Sequence, residues 1–222
     1  MDSKLTPKAE QTRQHIQDIA LDFFSTKGYT ATTMREIAAA AGCSLGLTYR
    51  YFGSKEALVL SLYERLAADT LAGIDQLAPG TLADRFGGLM RQRLPQMVPY
   101  RDVLGALFGA AMNPAARTGI LGDSASQTRA DTRQAFLRLV NGSGDAPKAA
   151  QAEALVTLLV SLHFGIILFW LVDHSPDQQK TFELLDYCCN SLAMLRKTMI
   201  LPPVARQMLL LAQIIEPVFF GD

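Results

Sequence analysis

The chain has 222 residues, 49% apolar and 19% charged, a balance that excludes a disordered tail or a solvated linker. Lys plus Arg and Asp plus Glu tie at 21 each, which argues against holding a polyanion by bulk charge but leaves room for a local basic surface. The three cysteines, two of them the neighbours Cys188 and Cys189, match neither a disulfide framework nor a zinc spacing and point to a cytoplasmic protein.

Apolar residues recur at helical spacing throughout, and no alternating strand pattern appears, so an all-α fold is expected. The polar residues 1–15 are not expected to form a secretory signal. A first helix is predicted over Pro7–Lys27, capped by Thr6, stopped by Gly28, with Ile16, Ile19, Ala20, Phe23 and Phe24 on its inner face. Thr33 and Glu36 form a capping box for a short helix with Met34, Ile37, Ala38 and Ala41 inside, ending at Gly42. Ser44 caps a third helix, Leu45–Phe52. Ser54 caps a longer one to about Ala78, where Pro79-Gly80 marks a boundary.

Further helices are predicted over Leu82–Met97, interrupted by Pro95, and over Val103–Met112, followed by a loop to Asp123. Ser124 and Gln127 are read as the cap of a helix reaching Val140. A long apolar helix follows over Pro147–Val172. Another opens at Ser175-Pro176 and is closed by Pro202-Pro203, and a last helix covers Val204–Glu216. Residues 154–172 carry no formal charge and approach the length of a membrane span. Their polar residues and acidic flanks, Glu153 and Asp173, favour a buried core or subunit-interface helix, with membrane association as the lesser alternative.

The unit Thr33–Phe52 has the form of a helix-turn-helix, which is also a common packing corner. Its second helix gathers Ser44, Gly46, Thr48, Tyr49, Arg50 and Tyr51. Small residues at its start allow close approach to a duplex, and Arg50 offers a planar fork for phosphate or guanine. Tyr49, Tyr51 and Lys55 are candidate phosphate contacts, with packing the alternative for Tyr49 and helix capping the first role of Thr33.

The runs Ala20–Thr30, Thr32–Gly42 and Ser44–Leu58 together closely resemble the TetR family of bacterial transcriptional regulators. The resemblance covers about residues 10–60 and joins Phe24, Lys27-Gly28-Tyr29, Ile37-Ala38, Ala41-Gly42, Tyr49, Phe52, Lys55 and Leu58. It implies a helix-turn-helix domain over residues 1–56 and a helical effector-binding and dimerisation domain over 57–222, with 55–78 as the connecting helix. It further implies a homodimer on a palindromic double-stranded operator, released by a small effector. A regulator without effector response, or an activator, is the alternative. The DNA contacts it suggests are Thr33, Arg35, Ser44, Leu45, Gly46, Thr48, Tyr49, Arg50, Tyr51 and Lys55. Leu45, Leu47 and Thr48 depart from the family's usual pattern and leave the operator sequence open.

An apolar or aromatic effector is expected among Phe86, Met90, Phe108, Met112, Phe136, His163, Phe164 and Trp170, with Phe169 also available. His163 is read first as a core or interface histidine and second as a ligand contact. Arg91, Arg93 and Arg101 are read as surface charges, with an acidic effector as the alternative, and Cys188-Cys189 as structural thiols rather than redox sensors. No phosphate loop, nucleophile elbow or metal-ligand spacing is present, so neither an enzyme nor a cofactor or metal site is expected.

Overall fold

Local capping chemistry sets most of the helix boundaries. The computed structural model describes residues 6–111 and 125–220, and these form ten α-helices and no strand. The helices are α1 (Pro7–Lys27), α2 (Met34–Ala40), α3 (Leu45–Tyr51), α4 (Lys55–Ile74) and α5 (Leu82–Met97). They continue as α6 (Arg101–Ala111), α7 (Ser126–Asn141), α8 (Ala149–Val172), α9 (Gln179–Thr198) and α10 (Pro202–Phe220). The fold is all-α. Two compact units divide the chain: one runs to Arg65 and resumes at Val98, and the other holds Leu66–Met97 and the C-terminal helices. The packing therefore divides within α4, and not at its start.

In the first unit, Thr6 accepts from Ala9 N at 3.3 Å and Gly28 ends α1 at φ 81°, its N–H donating to Phe24 O at 3.2 Å. The buried face of α1 is Ile16, Gln17, Ala20, Leu21 and Phe24. This stripe is rotated from the expected one, leaving Ile19 and Phe23 only half-buried. Gln17 tolerates burial because its amide donates to Ser61 O at 3.1 Å. The Thr33–Glu36 capping box forms as expected at the start of α2. Gly42, at φ 61°, turns the chain, and Ser44 caps α3 by accepting from Leu47 N at 3.1 Å. Phe24, Ile37, Phe52 and Leu58 are all buried.

In the second unit α8 packs against α5, α7, α9 and α10. Its lack of polar sides follows from this position, because several faces of the helix meet apolar neighbours. Several sequence expectations shift. The long helix α4 ends at Ile74, short of Ala78, and loosens into i→i+3 bonds from Gln76 N to Gly73 O and Leu77 N to Ile74 O. Pro95 does not interrupt α5, since it falls in the last turn. The helix α7 begins at Ser126 with no side-chain cap, and the Gln127 amide instead donates to Asp131; Ser124 lies outside the described residues. Pro202-Pro203 does not close α9: it occupies the first positions of α10, where a missing N–H does no harm.

The start of α9 also differs. Asp177 and Gln178 adopt left-handed φ of 51° and 53°, and Asp173 holds the turn together. Asp173 Oδ2 accepts from Thr181 N at 2.8 Å and Thr181 Oγ1 at 2.7 Å, while Oδ1 accepts from Ser175 N at 2.9 Å. These donors, the Ser175 side foremost, hold its carboxyl far below the usual carboxylate range. The stability Asp173 contributes is present above the ordinary carboxylate pKa and is lost as pH falls toward its depressed folded value. Asp173→Ala is therefore expected to lower the melting temperature at pH 7 and to reduce the loss of stability on acidification, measured by thermal melts from pH 7 to pH 3.

Candidate nucleic-acid interface

Short helices with exposed polar starts set out the candidate interface. Ser44, Gly46, Tyr49 and Arg50 are exposed on α3, Tyr51 is half-buried, and Arg35 is exposed on α2. An open concavity of about 480 Å³ lies beside them, lined by Thr33, Arg35, Leu45, Tyr49 and Lys55 with Thr30, Thr32, Met34, Ser54 and Glu56. Thr48 departs from the expected contact set. It is completely buried, and its hydroxyl donates to Ser44 O at 3.2 Å, as expected of a helical Thr whose side chain turns inward.

Lys55 has a further role that its sequence position did not reveal. Its Nζ donates to Tyr29 O at 2.9 Å and Thr32 O at 3.0 Å and sits 4.1 Å from the Tyr29 ring centroid. Tyr29 in turn donates its hydroxyl to Glu56 Oε1 at 3.0 Å. Burial first, then the Glu56 carboxylate, push the Tyr29 pKa up to about 12. Glu56 is held below its ordinary value by its own backbone N–H and the Ser54 hydroxyl, with Tyr29 adding to them. The start of α4 thus clamps the α1–α2 turn. Thr33 combines its cap with a place at the concavity, because Glu36 Oε2 accepts from both its N–H at 2.9 Å and its hydroxyl at 2.8 Å.

The residues expected around an effector separate. Phe86, Met90, Phe136, His163 and Phe164 form one buried cluster in the second unit, and Trp170 is buried further along α8. The His163 ring lies 5.3 Å from Phe136 and 5.4 Å from Phe164 between centroids, with Nδ1 at 3.2 Å from Met90 Sδ. Burial, with the nearby Arg93 charge, pulls its pKa down to about 3, so the ring is neutral. Phe108 lies on α6 in the first unit, and Met112 lies outside the described residues. Phe169 is partly exposed. Phe219, which the sequence reading left out, stacks on Phe164 at 5.7 Å. Arg91 is a surface charge paired with Asp186, but Arg93 is buried. The spacing Phe86, Met90, Arg93, Met97 already put Arg93 on the inner stripe of α5. Among the described residues no group of three His, Cys, Asp or Glu side chains is arranged to hold a metal.

Residues 16–62, which include the second half of α1, all of α2 and α3 and the start of α4, match the family model described as bacterial regulatory proteins, tetR family. The match is confined to this N-terminal segment. HTH-type transcriptional regulator AcrR of Shigella flexneri is 42% identical over 64 residues, 29% of this chain and 30% of that protein. HTH-type transcriptional repressor KstR2 of Rhodococcus jostii is 37% identical over 75 residues, 34% of this chain and 29% of that protein. The chain thus matches about a third of the length of these curated relatives. A tetR-family transcriptional regulator from Streptomyces coelicolor superposes with a TM-score of 0.60 at 22% identity, covering 96% of this chain and 94% of that one. Thermus thermophilus FadR, a tetR-family repressor solved with lauroyl-CoA, gives 0.60 at 22% identity, covering 80% of this chain and 92% of that one. These structures share the fold of the tetR-family head and of the helices beyond it.

Because Lys55 clamps the turn, Lys55→Met is expected to destabilise the first unit by about 1–3 kcal/mol even without DNA, through loss of two charge-assisted hydrogen bonds. Amide hydrogen exchange at residues 28–33 is expected to speed up in the free protein. A side chain that served phosphate alone would leave that exchange unchanged.

Proposed function

We propose that the protein is a transcriptional repressor that binds a palindromic operator as a homodimer and is released by a small effector. The observation that carries this reading is α3. Its capped start and exposed face offer Ser44, Gly46, Tyr49 and Arg50, within a head whose sequence matches regulators and repressors. Free N–H groups at the start of such a helix favour phosphate, Gly46 lets the backbone come close, and Arg50 supplies a bidentate donor. Thr33, Arg35, Leu45, Tyr51 and Lys55 flank these contacts in the proposed interface, and Thr48 holds α3 in place from inside. The functional division we propose keeps residues 1–56 for DNA and 57–222 for effector and dimer. The protein would act in the cytoplasm.

Exposed apolar residues support the dimer. Val172 on α8, Met194 on α9, and Ile214 and Val218 on α10 are each between 65% and 72% exposed. We place the interface on α8 and α9 and add α10, whose apolar residues are largely uncovered. Helices α8 and α10 are long and apolar enough to cross a membrane, but α8 is more than half buried within its own unit, which favours the protein–protein reading. Ile214→Asp is expected to shift the protein toward monomer in sedimentation velocity, and an unchanged sedimentation coefficient would remove α10 from the interface.

Tyr49→Ala and Arg50→Ala should each weaken binding to the protein's own promoter DNA by ~1–3 kcal/mol. Wild-type affinity should fall with salt at a log–log slope of about −0.9 per phosphate neutralised. Binding isotherms unchanged in both variants would overturn the assignment of α3.

A further inference from the structure

Arg93 is a cation that the fold buries without neutralising. It is 4% exposed, and among the described residues no carboxylate forms an ion pair with it. Its Nη2 donates to Leu66 O and its Nη1 to Gln96 Oε1 at 3.0 Å, both uncharged acceptors, while its buried Nε has no partner. Asp69 exerts a favourable field on it but remains exposed. His163, close enough to feel the Arg93 charge, is neutral and adds no compensation. An arginine is never deprotonated in a protein, so burial cannot neutralise the group. A buried charge with unmet donors is strongly destabilising unless an anion completes it.

The neighbourhood specifies the anion further. Along α5, one turn to either side of Arg93, Met90 and Met97 are buried, and Leu94 beside it is buried too. An anion reaching Arg93 therefore enters apolar surroundings, which suit an alkyl or aromatic body better than a bare inorganic ion. Gln96, which holds Nη1, is exposed and uncharged, so an incoming oxyanion can replace its amide oxygen without breaking an ion pair. We propose that Arg93 is the anchor of an effector site in the second unit, binding an oxyanion, carboxylate or phosphate, carried on an apolar body. The expectation of an apolar or aromatic effector is thereby joined to the alternative of an acidic one, as a single amphipathic acid. Calling the ligand an effector rests on the repressor reading; the binding site itself does not.

The test uses the full chain and three probes of equal chain length: octanoate, octyl phosphate and octanol. Thermal melts and calorimetry should show stabilisation by at least one of the two anions and little by octanol, and the better anion identifies the head group. Arg93→Gln should weaken that binding about tenfold or more, whereas Arg91→Gln, at the exposed partner of Asp186, should retain it. Should Arg93→Gln fail to fold, the wild-type comparison of anion with alcohol still decides. An equal response to octanol, no response to any probe, full binding in Arg93→Gln, or equal loss in Arg91→Gln overturns the site. Promoter binding is measured alongside without probe. Intact promoter binding with no anion response removes this site alone, and absent promoter binding removes the repressor reading while the probes still judge Arg93.

Discussion

The bonds from Lys55 Nζ to the carbonyls of Tyr29 and Thr32 reach across the head from the start of α4 to the turn before α2. Much of the first unit depends on that span. Helices α2 and α3 have seven residues each, well below the length at which a helix holds itself together in water. Their caps close the ends, and the Phe24, Ile37 and Phe52 core holds the inner side. Neither fixes where α2 begins relative to α1. The Lys55–Tyr29–Glu56 group does so, with a cation over an aromatic ring and a hydroxyl on a carboxylate. The surface that α3 presents is therefore set from α4, a helix whose later turns pack in the other unit.

The second unit handles charge in a different way. Around Phe86, Phe136 and Phe164 it buries a histidine that it keeps neutral, and nearby an arginine that cannot be neutral. A core built only for stability would fill Arg93 with Leu or Met, since replacing a buried charge by apolar bulk is commonly neutral or favourable. Retention of the guanidinium beside two carbonyl acceptors, with no carboxylate in an ion pair with it among the described residues, separates this group from the ordinary packing around it. Arg196 is the contrast: it is also poorly exposed, but Asp145 lies 3.5 Å from its Nε.

Where a boundary depends on residues within one turn, it was legible in the sequence. Thr6, Gly28, the Thr33–Glu36 box and Ser44 each act through a partner at most four residues away, and each stands where expected. What was illegible depends on remote partners or on which way a side chain turns. The α1 stripe rotates because Gln17 finds a carbonyl 44 residues along the chain. Spacing alone puts Arg93 on the inner stripe of α5, but its acceptor, Leu66 O, stands 27 residues earlier and has no local signal. Thr48 turns inward to a local carbonyl, a choice the polar character of α3 concealed. Pro202-Pro203 reads equally as a stop or a start until the following apolar run is seen to continue to Phe220.

The charge tie acquires a spatial meaning once pairing is known. Up to residue 66 the chain carries eight basic and seven acidic residues, too nearly balanced to attract a polyanion from afar. The pairs in the head remove most of the remaining ambiguity. Arg13 pairs with Glu10, Lys27 with Glu36 and Arg65 with Asp18, and Lys55 is turned onto two carbonyls. Arg35 and Arg50, by contrast, are exposed and make no ion pair among the described residues, and they stand on the two helices of the helix-turn-helix. Intramolecular bonding thus engages Arg13, Lys27, Lys55 and Arg65, while Arg35 and Arg50 on α2 and α3, with Lys8 at the start of α1, stay exposed to solvent. A protein with no net charge can present a local positive surface in this way, provided its acids are spent on the wrong arginines and lysines for binding, and doubling by a homodimer would bring two such surfaces to one duplex.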